Sequence, residues 1–220
     1  MRRTLRNNGL STVMFGLFAL FLVGMSLAGQ RQYNEEQTAH GEETVSYVGY
    51  LQTGHFVEAV FENWESEFLQ MGGFVLLTVF LFQKGSPESK KLKGDEPVDE
   101  DPRDSDRDDA PWLVRIGGVR LWLYERSLTI ALFALFFLSF ALHAAGGARE
   151  YSSEQEAHGR GPVSIPAYLG TSQFWFESFQ NWQSEFLAVG MLAVLSIYLR
   201  QRGSPESKPV AAPHTETGEA

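Results

Sequence analysis

Apolar residues in this chain gather into four blocks separated by polar stretches. Gly9 to Gly29 runs for 21 residues without Asp, Glu, Lys or Arg, and Ser127 to Gly147 repeats that pattern in mid-chain. Each is long enough for a helix across a hydrocarbon core about 30 Å thick. The other two blocks, Phe56 to Phe82 and Phe174 to Leu199, carry charge in their first turns only; the last 15 residues of the former, Phe68 to Phe82, have none. The 27 residues of Phe56 to Phe82 would make a helix about 40 Å long at about 1.5 Å per residue. The pattern predicts an all-α integral membrane protein with four transmembrane helices, at about 9–29, 58–83, 127–147 and 174–200.

The blocks are related by an internal duplication. Phe61 to Leu69 reads Phe-Glu-Asn-Trp-Glu-Ser-Glu-Phe-Leu and Phe179 to Leu187 reads Phe-Gln-Asn-Trp-Gln-Ser-Glu-Phe-Leu. With an offset of 118, Tyr33 to Lys90 aligns with Tyr151 to Lys208 without a gap, 29 of 58 positions being identical. Only 6 of 21 positions match between Gly9 to Gly29 and its counterpart, so identity is concentrated on the Asn-Trp-x-Ser-Glu element. The expected organisation is two tandem two-helix repeats, residues 1–90 and 127–208, with outer loops at 30–57 and 148–173. A basic start followed by an apolar run also fits a cleavable signal peptide, but the mid-chain counterpart of that run favours a retained helix.

Between the repeats, residues 91–110 are rich in Asp and Pro and read as a disordered acidic linker. Residues 111–126 alternate apolar side chains with Arg115 and Arg120 and read as an interfacial segment anchored by Trp112 and Trp122. Residues 209–220 read as a disordered tail. Both second helices lead to an identical Gly-Ser-Pro-Glu-Ser-Lys, Gly85 to Lys90 and Gly203 to Lys208, read as a helix stop. Of the 18 Lys and Arg, 15 lie at the amino terminus, in the central connection or in the tail. The positive-inside rule then places both termini in the cytoplasm and the two His-bearing loops outside. Two helices per repeat make the copies a parallel pair about an axis along the membrane normal.

Charge and composition narrow the functions further. The net charge of −9 comes mostly from Asp95 to Asp109, so it implies no acidic folded surface, and it does not suggest a nucleic-acid partner, which would call for a basic patch. The absence of cysteine excludes disulfides, thiolate metal sites and a cysteine nucleophile. No catalytic or nucleotide-binding signature is present, and no cofactor and no enzymatic activity are expected.

Candidate chemistry lies in the two repeated motifs. Asn63, Ser66 and Glu67 share one helix face with Gln70, as do Asn181, Ser184 and Glu185, and the pseudo-twofold could bring Glu67 and Glu185 together. A carboxylate inside hydrocarbon normally faces the bundle interior or a cavity and by default marks an ion, proton or substrate site. The alternative is that Trp64 and Trp182 are interfacial anchors and the glutamates reach the headgroups. Glu36 with His40, and Glu154 with His158, have the i, i+4 spacing that could assemble a metal shell. Glycine follows each histidine, which suggests helix capping instead. His143, aligned with Met25, reads as an interfacial or packing histidine.

The duplicated Asn-Trp-x-Ser-Glu-Phe-Leu, the Glu-Gln-x-Ala-His-Gly loops and the Gly-Ser-Pro-Glu-Ser-Lys ends resemble an uncharacterised family of bacterial membrane proteins, described as a domain of unknown function. The resemblance implies a four-helix protein of the bacterial inner membrane and transfers no activity. The expected function is handling of an ion, proton or small solute through the paired Asn/Glu motifs. The alternatives are a non-catalytic envelope scaffold that binds a partner and a metal-binding membrane protein. Expected partners are the lipid bilayer and further copies of the chain, since four helices make a thin wall for a pore.

Overall fold

No proline interrupts Gly9 to Ala39 or Ser127 to Ala157, and each segment folds as one long helix. In the computed structural model, which describes residues 7–94, 96–105 and 109–218, the helices are α1 (Gly9–Ala39), α2 (Tyr47–Tyr50), α3 (Gly54–Leu77), α4 (Trp112–Ile116), α5 (Gly118–Glu125), α6 (Ser127–Ala157), α7 (Ile165–Tyr168) and α8 (Ser172–Tyr198). The described residues contain no strand. Arg2, Arg3 and Arg6 of the basic start, Asp95 and residues 106–108 of the acidic linker, and residues 219–220 of the tail lie outside the described residues.

Two helices, α1 and α6, are long and apolar enough to cross a membrane, with mean hydropathies of 2.1 and 2.2. Only 6% of the apolar window of α1 is buried, so its side chains are not the core of a water-soluble fold. Both helices continue beyond Gly29 and Gly147. The polar residues that follow are good helix formers, and the helices end where Gly41 (φ 78°) and Gly159 (φ 73°) take up left-handed conformations. Charges at Glu58, Glu62, Glu65 and Glu67 set α3 apart from α1 and α6. It ends at Leu77, short of Phe82. There the Thr78 hydroxyl bonds back to the Val75 carbonyl at 3.0 Å, and the next turn tightens through Val79 N–H to Leu76 O.

The chain divides into two compact units, each drawing on both halves of the sequence. The first comprises Met1–Phe61 and Ala141–Phe174, the second Glu62–Phe140 and Trp175–Ala220.

In the first unit, short helices are pinned beside long ones. Ser46 caps α2 by accepting from Gly49 N–H, and Ser164 caps α7 by accepting from Ala167 N–H. The Asn34 side chain brackets Val45, donating to its carbonyl at 3.0 Å and accepting from its N–H at 2.8 Å. At the aligned position, the Ser152 hydroxyl makes the same pair of bonds to Val163. These tethers deliver Tyr50 and Tyr168, both almost fully buried, against α1 and α6.

In the second unit, the Gly-Ser-Pro-Glu-Ser-Lys segments close as matching turns several residues after their helices end. Gly85 and Gly203 each have φ 86°, and Ser89 and Ser207 accept from the backbone N–H of Gln83 and Gln201. Residues 209–218 lie along these turns. Lys208 donates to the carbonyls of Pro213, His214 and Glu216 at 3.0–3.2 Å, and Gly85 N–H donates to the Thr217 hydroxyl at 2.8 Å.

Candidate functional site

In the first unit, α3 and α6 approach closely enough that glycine is required on both. A Cβ at Gly54 would sit 2.7 Å from the backbone of Glu150 and Gly146, and one at Gly146 would sit 2.5 Å from the Glu58 nitrogen. This contact places the first turns of α3 against a polar stretch of α6. The Tyr168 hydroxyl donates to Glu58 Oε1 at 2.9 Å, and a Glu58 oxygen lies within 4.8 Å of a ring nitrogen of His143. His143 is fully buried and stacks on Phe174, ring centroids 4.9 Å apart. The sequence marked His143 only as a packing or interfacial residue. It packs, and it does so beside a carboxylate.

A second cluster in this unit gathers Tyr33, Tyr50 and His55. The His55 ring lies 5.6 Å from that of Tyr33, and its Nδ1 is 3.1 Å from the Tyr50 hydroxyl. Burial pushes the His55 imidazole below its ordinary value, against the opposing pull of the Glu36 carboxylate. Burial also raises both tyrosines, with Glu150 adding to the effect, so their hydroxyls stay protonated. Glu150 is itself raised by burial. The His55 backbone N–H opposes that shift, while Glu154 and Glu36 add to it.

His40 and His158, in the metal reading, cap their own helices. Their Nδ1 atoms donate to the carbonyls of Glu36 and Glu154 at 2.8 and 2.7 Å. Gln32 donates to the Glu36 carboxylate at 3.1 Å. Among the described residues, no group of three potential metal ligands includes Glu36, His40, Glu154 or His158.

The second unit holds the Asn-Trp-x-Ser-Glu elements. Asn181 donates to the Glu62 carboxylate at 2.5 Å and to the Glu177 carbonyl at 3.2 Å. Trp182 donates from Nε1 to Glu65 Oε1 at 3.0 Å, and its ring meets those of Phe136, Phe179 and Trp175. Glu65 has no exposed surface; Ser66 and Gln70 are nearly as buried. Ser66 and Ser184 each turn back to their own helix, donating to the carbonyls of Asn63 and Asn181 at 2.8 Å. Glu67 is exposed, within Coulombic reach of Glu185. Trp64 is half-buried.

The interhelical contacts of this unit therefore run through Glu62 and Glu65, which sequence reasoning did not single out. The available signal was spacing: Glu58, Glu62 and Glu65 recur at four and three residues and so share a face of α3.

The described residues contain helices and no strand, two of the helices are long and apolar enough to cross a membrane, and one fully buried carboxylate, Glu65, is bonded to a neighbouring helix. The chain is a member of the family described as a domain of unknown function (DUF6766), whose model matches residues 1–219. No curated protein and no solved structure matches the chain.

Proposed function

We propose that this is a multi-pass protein of the bacterial inner membrane, with four spanning helices in two tandem repeats and both termini cytoplasmic, that handles protons or small cations. The observation that carries the reading is Glu65, a carboxylate with no exposed surface that accepts a hydrogen bond from Trp182. A carboxylate inside a membrane helix is costly, and such groups belong to ion and proton routes by default. Glu62, held by Asn181, and Glu67, within Coulombic reach of Glu185, add carboxylates in the same unit. A single chain offers few helices to enclose a route, so the active form is an assembly of more than one copy.

The test is proton and monovalent-cation flux in proteoliposomes, comparing the wild type with Glu65→Gln, Glu67→Gln and Glu185→Gln at matched protein levels. The reading expects flux in the wild type and its loss in Glu65→Gln with helix content and melting preserved. A second reading, a non-catalytic scaffold of the envelope, is favoured by the same bonds as pure helix-to-helix ties. Absence of wild-type flux for protons and common cations would select it.

A further inference from the structure

The segment between the acidic linker and α6 has no part in the function proposed above, although its surface is unusual for a water-facing helix. In α5, Leu121 is 1% exposed and turns inward, whereas Val119 is 75%, Trp122 48% and Leu123 47% exposed. Val119, Trp122 and Leu123 are spaced i, i+3 and i+4, an exposed apolar stripe on a helix exposed throughout except at Leu121, with Arg126 just past its end. In α4, Trp112 and Ile116 are also exposed. Gly117 and Gly118, with φ of 69° and 64°, separate the two short helices in a conformation that side-chain-bearing residues rarely adopt.

Within residues 112–126 basic side chains outnumber acidic ones, while Glu100, Asp101 and Asp109 of the preceding segment lie beside Val114 of α4. Arg115, Arg120 and Arg126 are all exposed, against Glu125 alone, which pairs with Arg126 at 2.8 Å. The Arg126 guanidinium also lies 4.9 Å from the Trp122 ring, so the charge and the indole are held together. Exposed apolar side chains continue past Arg126 as Leu128 and Ile130, the first turn of a helix able to cross a membrane.

We propose that Trp112 to Arg126 is a binding surface for anionic phospholipid. Val119, Trp122 and Leu123 enter the boundary between headgroups and acyl chains, and the three arginines contact lipid phosphates. The proposal rests on the reading that α6 spans the bilayer. Basic and aromatic side chains flanking an apolar stripe suit this boundary, where the indole is half solvated and arginine extends toward the headgroups. Each arginine near an anionic leaflet favours the bound state about fivefold.

The chain has no cysteine, so a nitroxide on Val119→Cys or Leu123→Cys reports one position. Phe137→Cys, in the apolar part of α6 and 65% exposed, serves as the control for the span. Collision of each label with oxygen and with a water-soluble nickel chelate is measured in full-length protein in phosphatidylcholine vesicles, with and without phosphatidylglycerol. The proposal expects the labels at 119 and 123 to collide preferentially with oxygen in the anionic vesicles. They should shift several-fold toward the nickel chelate when phosphatidylglycerol is omitted, or when Arg115, Arg120 and Arg126 are replaced by Gln. Omitting the lipid needs no further substitution, so the result stands even if the triple variant fails to fold. Labels in water under all conditions, labels at a depth independent of lipid charge, or labels shielded from both reagents by another protein surface would each overturn it. If the label at 137 meets the nickel chelate, the spanning reading fails instead.

Discussion

The indole of Trp182 donates its Nε1 proton to Glu65 across 3.0 Å, joining α8 to α3 at a carboxylate with no exposed surface. Trp182→Phe keeps most of the ring contacts and deletes the donor. It should cost about 1–2 kcal/mol, read as a lower melting temperature in detergent. Glu65→Gln retains an acceptor and should cost less than Trp182→Phe. Equal or reversed costs would mean that the bond contributes little and the ring packing dominates.

Glycines on the two long helices α6 and α1 should respond in opposite ways. Gly146→Ala forces a methyl to within 2.5 Å of the Glu58 backbone nitrogen, which cannot move without shifting α3. About 1–3 kcal/mol of destabilisation follows from such overpacking. Gly24→Ala, with nothing within 4 Å of the new methyl, should be neutral or stabilising by about 0.5–1 kcal/mol through helix propensity. Thermal melts of the two variants side by side decide the matter.

His55 and Glu150 give stability opposite dependences on pH. Burial holds the His55 imidazole below its ordinary 6.5, so on acidification the unfolded chain takes the proton first. Its contribution is complete above about pH 6.5 and is lost as pH falls below that value. Burial raises Glu150 above its ordinary 4.5, so its contribution is present below about pH 4.5 and is lost as pH rises through the folded-state value. His55→Gln should therefore flatten the loss of stability below about pH 6.5, and Glu150→Gln should raise stability at neutral pH. An unchanged pH slope in His55→Gln would show that its imidazole is equally accessible to protons in the folded and unfolded chain.

The carboxy-terminal segment offers a local test. Thr217→Val removes the acceptor for Gly85 N–H, and Lys208→Met removes the donor to three tail carbonyls. Both should speed hydrogen exchange at Gly85 while leaving exchange in the middle of α1 unchanged. A Gly85 amide already exchanging freely in the wild type would show that the tail does not rest there.

The two membrane-capable helices were plain in the sequence because an uncharged apolar run of 21 residues matches the thickness of a hydrocarbon core and exceeds what a small water-soluble fold needs to bury. Their extensions to Ala39 and Ala157 were not, since Glu and Gln suit either a loop or a helix until the left-handed glycine is seen. The Asn-Trp-x-Ser-Glu elements stood out by repetition, and Asn181 and Trp182 do make interhelical bonds. Repetition also misdirected. Glu65 occupies the position that varies between the copies, Gln183 being its counterpart, and it is the most buried carboxylate of the motif. The donors Asn181 and Trp182 stand at positions identical in both copies, whereas the acceptors Glu62 and Glu65 stand at positions that differ, their counterparts being Gln180 and Gln183. His143 had no twin to draw attention to it, and its proximity to Glu58 arises from the close crossing that Gly54 and Gly146 allow.

Tyr50 and Tyr168 align with each other, and each hydroxyl lies where a side chain at Gly29 or Gly147 would otherwise sit. Their partners nevertheless differ: Tyr50 meets His55 and Tyr168 meets Glu58, both supplied by the start of α3. The residues aligned with those partners, Gln173 and Phe176, bear no titratable group. The halves have thus become complementary instead of interchangeable. Two copies of the first half would duplicate the imidazole and the carboxylate, two copies of the second would supply neither, and only the fused chain holds one of each.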